Sequence, residues 1–224
     1  MTGKIRSYLL YNANQNNKDS VSHRLREKRF AFFSDFCSKL KKPVSILDLG
    51  GSDYHWWNSR FRDNKNFHIT IVNTEQQNIK DIRNMSFIKK DVRDLDYFDD
   101  SEFDLVYSNS LFEHINNFED QKKLAGELQR IGKHYFIQTP NYYFPIEPHF
   151  LFPFFQFLPE AARTKLIMKY DLGWFRKQDS ESKARELAAS VRLLRKRELK
   201  KMFPGGKFFT EKYLFLNKSF IIYS

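Results

Sequence analysis

Apolar residues recur along this chain in two rhythms. Between residues 19 and 40, Leu25, Phe30, Phe32, Phe33, Phe36 and Leu40 include i, i+3 and i+4 neighbours, with Arg24, Arg26, Lys28 and Arg29 interleaved. That spacing predicts a helix. Ser20 and Ser22 are its candidate N-caps, and Lys41-Lys42-Pro43 ends it. Short apolar runs follow. Residues 44–49, 69–73, 86–89, 103–108 and 135–138 read as strands, with a helical pattern at about 111–130. Strands separated by helical patterns predict an α/β fold, a mostly parallel sheet covered on both faces.

The texture changes after Pro140. Residues 141–159 are dense in Phe, Tyr and Pro. Helical patterns follow at 160–170, 180–191 and 196–202, and Pro204-Gly205-Gly206 breaks the chain. Residues 208–216 and 219–223, joined by Asn217-Lys218, predict a closing antiparallel hairpin. With no repeat or low-complexity tract, the 224 residues read as one domain. It divides into an N-terminal basic helix (1–43), a core (44–140), a helical aromatic insertion (141–192) and a closing helix and hairpin (193–224).

Composition narrows the class. An aromatic content of 17% is too high for a disordered chain. The one cysteine, Cys37, excludes an intramolecular disulfide and a cysteine-based zinc cluster, and points to a reducing, cytoplasmic setting. Residues 1–20 are polar where a signal peptide would be apolar, and no run is long enough to span a bilayer. The net charge of +11 is uneven: residues 1–43 and 161–224 are basic, and 44–160 are acidic. The basic flanks are either solvated helix faces or a surface for an anionic substrate, membrane or nucleic acid.

Candidate chemistry lies at the ends of the predicted strands, where open α/β sheets bind ligands. Ser45-Ile-Leu-Asp48-Leu-Gly50-Gly51 carries one acid in an apolar run, then paired glycines that allow a tight turn and close ligand approach. The second strand ends at Asn73, with Glu75 two residues on. An acid about 20 residues past a glycine turn commonly accepts ribose hydroxyls. Asp91 and Val92 follow the third strand as a carboxylate for an adenine amino group and an apolar contact. The fourth strand runs into Ser108-Asn109-Ser110-Leu111-Phe112-Glu113-His114.

Taken together, these four segments resemble the class I S-adenosylmethionine-dependent methyltransferases, most closely their small-molecule group, over about residues 44–140. The resemblance implies a Rossmann-like, seven-stranded sheet ordered 3-2-1-4-5-7-6 and S-adenosylmethionine as cofactor. Carried over by residue, it implies that Asp48, Gly50 and Gly51 hold the aminocarboxypropyl end. Asn73 stands at the usual acid position, so Glu75 takes the ribose. Asp91 and Val92 take the adenine, and Asn109 lies by the methionine backbone. The chain departs from the family where a third small residue is expected and Asp53-Tyr54-His55-Trp56-Trp57 stands instead.

A hydroxyl acceptor needs a base, and His114, His149 and Glu147 are the candidates. Each has a structural alternative. Ser110 and Glu113 have capping-box spacing, which would tie Glu113 to its own helix terminus. His114 and His149 also suit turn and loop packing, and Trp56 and Trp57 suit either core or substrate stacking. No metal site is expected, because the His and Glu residues lack short ligand spacing. The Phe-rich segment 144–158 reads as a lid, an apolar acceptor pocket, or an interfacial segment beside Arg163, Lys165 and Lys169 for an anionic membrane. The expected acceptor is a small molecule, apolar, lipid-linked or saccharide. A nucleic-acid acceptor and a non-catalytic cofactor-binding module are the rival readings.

Overall fold

The computed structural model describes residues 3–14, 16–57, 59–79 and 82–224. Seven strands form one sheet: β1 (Val44–Leu49), β2 (Phe67–Asn73), β3 (Met85–Lys89), β4 (Phe103–Asn109), β5 (Gly132–Pro140), β6 (Lys207–Tyr213) and β7 (Leu216–Tyr223). Their order is β3-β2-β1-β4-β5-β7-β6, as the resemblance implied. β1 to β5 pair in parallel, and β7 runs antiparallel between β5 and β6.

Strand alternation sends side chains to two cores. Leu47, Leu49, Val72, Val106 and Ile137 pack on one face against α4 (Phe118–Ile131) and α7 (Lys196–Met202). Val44, Ile46, Ile69, Ile71, Leu105 and Phe136 pack on the other, against α2 (Val21–Ser38) and α3 (Asp53–Trp57). Asp48 therefore falls on the face of Val44 and Ile46, beneath α2 and α3. The α2 stripe is aromatic: Phe33 is fully buried, 4.5 Å from the Tyr107 ring and 5.1 Å from Phe136. Burial of one such ring contributes about 2–3 kcal/mol. Ser20, not Ser22, caps α2, its Oγ accepting from His23 N at 2.9 Å.

Three elements differ from the sequence expectation. The helix expected over 111–130 is split. A single 3₁₀ turn covers Phe112–His114, and α4 begins only after Asn117, whose side chain accepts from Asp120 N at 2.8 Å. Burial of Phe112 and Ile115 holds the turn against the core, while Asn117 with Glu119 and Asp120 makes the stronger helix start. The closing hairpin turns at Leu214-Phe215, since Asn217 and Lys218 lie in β7 and their carbonyls accept from Asn141 Nδ2 and Asn141 N. A helix, α1 (Gly3–Ala13), precedes α2, where the polar sequence showed no clear period.

The insertion folds α5 (Glu160–Lys169) and α6 (Glu181–Ala189) around a small core of Phe150, Phe155, Ile167, Leu172, Ala184 and Ala188. Arg6 of α1 reaches across to this part, its Nη2 donating to Gly173 O at 3.2 Å. Among the described residues no helix is long and apolar enough to cross a membrane.

Candidate functional site

The first group of side chains sits at the carboxyl end of β1. Asp48 is buried, and its Oδ2 accepts from Trp56 Nε1 at 2.7 Å. Its Oδ1 is buried without a hydrogen-bond partner. Burial pushes the carboxyl up to about 7, against the opposing effect of the indole hydrogen bond. The following turn needs its glycines. Gly50 has φ +74°, and its N–H donates to Val72 O at 2.9 Å, locking the turn to β2. A Cβ on Gly51 would fall 1.7 Å from Asp48 Oδ2, so loop and carboxylate coexist only because Gly51 has no side chain.

Trp56 is thereby core, ringed by Phe33, Phe61 and Tyr107. Trp57 lies 4.0 Å beneath the Arg62 guanidinium. His55 stacks on Tyr107 at 5.5 Å and 13°. Arg26 Nη2 donates to His55 Nδ1 at 2.9 Å, which leaves the ring proton on Nε2, 3.1 Å from Tyr107 Oη. Burial, with Arg26 and Arg29 nearby, pushes His55 down to about 3 and keeps it neutral.

The second strand end corrects the expectation for Asn73. Its Nδ2 donates to Gly51 O at 2.8 Å and its Oδ1 accepts from Glu75 N at 3.0 Å. The amide braces the glycine turn, and the exposed Glu75 carries the available carboxylate. Asp53, where a small residue was expected, ties the same turn to the next loop. Its carboxylate accepts from Asn78 N at 3.2 Å, and its N–H donates to Gln77 Oε1 at 3.1 Å.

Asp91 and Val92 follow β3 on the same side. Val92 is buried with Leu49 and Val72. Each Asp91 oxygen accepts from Arg93, from Nε at 2.9 Å and from Nη2 at 2.5 Å, which holds the carboxyl below its ordinary range. An adenine amino group would therefore share a carboxylate already engaged by a guanidinium. Asn109 is engaged too, its Oδ1 accepting from Arg29 Nη1 at 2.6 Å. The same guanidinium donates to Gln138 Oε1 at 3.2 Å and forks onto Glu211 at 3.0 and 2.9 Å.

A second group gathers at the ends of β4 and β5. Glu113 is fully buried; Thr139 Oγ1 donates to its Oε2 at 3.1 Å, and its Oε1 has no partner. The capping-box expectation fails here, because the helix N-cap is Asn117, seven residues past Ser110, and the 3₁₀ turn leaves Glu113 buried. One ligand atom each of Glu113, His114 and His149 lies within 4.8 Å of the others. The His114 and His149 rings meet edge-on at 4.9 Å. Glu147 Oε1 lies 2.6 Å from His149 Nδ1, while Glu147 Oε2 accepts from His149 N and Phe150 N. Burial opposes charge on His149, but the hydrogen bond and charge of Glu147, with Glu113, outweigh it and raise the imidazole above its ordinary range. Short ligand spacing does not reveal this cluster. Parallel β4 and β5 are neighbours, so loops distant in sequence emerge side by side.

Glu113 and His149 line a cavity of about 550 Å³. Its polar floor includes Ser110 and Gln138, and Phe144 and Leu151 give it an apolar wall. The Phe-rich segment is thus divided in use. Phe150 and Phe155 stack in the insertion core at 4.2 Å, while Phe144 faces the cavity. Sequence reasoning missed three contributors, Tyr8 and Asn12 of α1 and Lys218 of β7, all on elements the pattern misplaced or left blank.

Known proteins carry the same architecture. A family model described as a methyltransferase domain matches residues 59–135. Among solved structures, the chain is similar to a SAM-dependent methyltransferase from Methanosarcina mazei (TM-score 0.55, 12% identity, 84% of this chain and 95% of that one). It is also similar to the magnesium protoporphyrin IX methyltransferase of Synechocystis with bound SAH (TM-score 0.55, 11% identity, 99% and 92% covered). A third is the 1,6-didemethyltoxoflavin-N1-methyltransferase of Burkholderia thailandensis (TM-score 0.54, 9% identity, 98% and 85% covered). The fold is that of the class I SAM-dependent methyltransferases. In sequence, 60 residues are 35% identical to an uncharacterized protein of Mycobacterium tuberculosis, covering 27% of this chain. The match spans about a fifth of that relative's length.

Proposed function

We propose that the chain transfers a methyl group from S-adenosylmethionine to a small-molecule acceptor. The observation that carries this reading is the Asp48–Gly51 contact, a buried carboxylate with one unpartnered oxygen beneath a turn that only glycine can form. That combination fits a cofactor with a cationic amino acid end. Asp48, Gly50 and Gly51 would hold the aminocarboxypropyl end, with Asn73 bracing the turn. Glu75 would take the ribose hydroxyls, and Asp91 and Val92 the adenine. Asn109, fixed by Arg29, would lie by the methionine backbone.

When bound, the cofactor supplies an activated methyl group on a sulfonium. The chain's own work is positioning and exclusion of water. The adjoining cavity, apolar on one wall and polar on its floor, suits an acceptor with an apolar body and an oxygen-bearing end. His149 and His114 flank the place where the acceptor's hydroxyl must lose its proton.

Calorimetry with S-adenosylmethionine and S-adenosylhomocysteine tests the reading. The wild-type chain is expected to bind both with micromolar affinity, and Asp48→Ala to bind neither while still melting cooperatively. No heat from the wild type at millimolar cofactor would overturn the assignment.

A further inference from the structure

The buried Glu113 oxygen demands a partner. A polar atom enclosed without a hydrogen bond costs about 1–3 kcal/mol, and more if the group is charged. The hydroxyls of Thr139 and Ser110 lie beside this carboxyl and the two imidazoles are close by, yet no ion pair joins Glu113 to either imidazole among the described residues. A carboxylate oxygen and two imidazole nitrogens are thus gathered within 4.8 Å of one another without an ion pair between them. Neighbouring donors of a tetrahedral ion with bonds of about 2.1 Å stand about 3.4 Å apart, so side-chain movements totalling about 1.5 Å would complete a ligand set.

The surrounding contacts are those of a ligand support. Glu147 holds His149 by Nδ1, which leaves Nε2 as the nitrogen that a cation would take in place of a proton. Glu147 is itself fixed by the N–H groups of His149 and Phe150. A carboxylate holding the far nitrogen of an imidazole is the usual orienting arrangement behind a metal-ligating histidine. Thr139 restrains the other Glu113 oxygen, so Oε1 is the atom left to coordinate.

We infer that Glu113, His114 and His149 form a divalent-cation site at the floor of the acceptor cavity, and that the acceptor reaches this cation through two neighbouring oxygens. One carboxylate and two imidazoles suit manganese, iron, cobalt or zinc, and leave coordination positions open. Glu113 and His149 both line the cavity, so those positions face the bound acceptor. A vicinal diol or a hydroxy acid would fill two of them.

The second half of this inference rests on the methyl-transfer reading. A cation on the acceptor hydroxyl lowers its pKa, as it does for bound water. The hydroxyl proton passes to solvent water. The new O–C bond forms as the S–C bond of the sulfonium breaks, and the neutral thioether leaves. On this account His149 ligates and is not the base.

Metal titration of the chelator-treated full chain tests the site without any turnover. Manganese binding is read from loss of the free-ion paramagnetic resonance signal, and cobalt binding from its visible absorption. One saturable manganese site per chain is expected. Glu113→Gln and His149→Ala should each weaken it at least tenfold, and Glu147→Gln by about 10–100-fold. Absence of a saturable site in the wild type, or unchanged affinity in folded Glu113→Gln and His149→Ala, would overturn the proposal. His114→Ala, at an exposed position, keeps the test open if the buried variants do not fold. Cofactor calorimetry on the same samples separates the two claims. A chain that binds manganese but not S-adenosylmethionine sinks the methyl-transfer reading alone.

Discussion

The indole N–H of Trp56 donates to Asp48 Oδ2 at 2.7 Å, while Asp48 Oδ1, equally enclosed, accepts nothing. One oxygen is spent on the core and the other is held in reserve. An ordinary aspartyl carboxyl ionises near 3.8, and this one near 7. Between those values the folded chain keeps a proton that the unfolded chain has released. Stability of the cofactor-free protein therefore falls as pH rises through that window, and Asp48's share is fully present only below about pH 4. Asp48→Asn keeps an acceptor for Trp56 and abolishes the slope. Thermal melts at pH 5 and pH 8 should show the wild type losing on the order of 2 kcal/mol more than the variant.

The same carboxyl couples cofactor binding to pH. A cationic ammonium beside Asp48 favours the ionised form, so binding near pH 6 should release close to one proton. Affinity should climb as pH rises toward 8. Calorimetry in two buffers of different ionisation enthalpy measures the proton directly, and Asp48→Asn should show no such release.

Gly51 is expected to tolerate no side chain. Its Cβ would lie 1.7 Å from Asp48 Oδ2, and the crowded atom belongs to a short, buried residue. Gly51→Ala should cost about 1–3 kcal/mol by urea denaturation and abolish cofactor binding.

Asn73→Asp would place an acid at the position the resemblance expects, and it is nevertheless expected to weaken the site. Asn73 Nδ2 donates to Gly51 O, whereas an aspartate there would set one acceptor against another. Cofactor affinity should drop about tenfold or more, measured by calorimetry. An increase would show that the brace is dispensable.

Arg29 joins α2 to β6 through Glu211, with both side chains nearly enclosed. Arg29→Met leaves the Glu211 charge buried without its partner, at a cost of about 3 kcal/mol in urea denaturation. The double variant Arg29→Met, Glu211→Gln should recover part of that loss.

The strands were legible because buried parallel strands leave continuous apolar runs, and Ser20 because an N-cap writes its own residue type. Strand order was not in the pattern; it came with the resemblance. The hairpin turn was misplaced because Asn217-Lys218 has turn chemistry, whereas the actual turn is Leu214-Phe215, with Asn217 and Lys218 committed to Asn141. Asn73 was read only as standing where an acid is usual, and its bracing of the turn was not legible because its amide's partner is a carbonyl brought close by β1–β2 pairing. The Glu113–His149 cluster was set aside on sequence for a related reason. His149 stands far in sequence from Glu113 and His114, and convergence depends on two strands lying side by side.

Arg29 has a consequence for traffic through the cavity. With α2 moored to the sheet edge by a guanidinium fork, tilting that helix would strand an enclosed anion. The other side of the cavity is formed by α1, which among the described residues is tied to the insertion by a single guanidinium contact, Arg6 Nη2 to Gly173 O. On the methyl-transfer reading proposed above, that lighter tether makes α1 the expected side for an acceptor to enter.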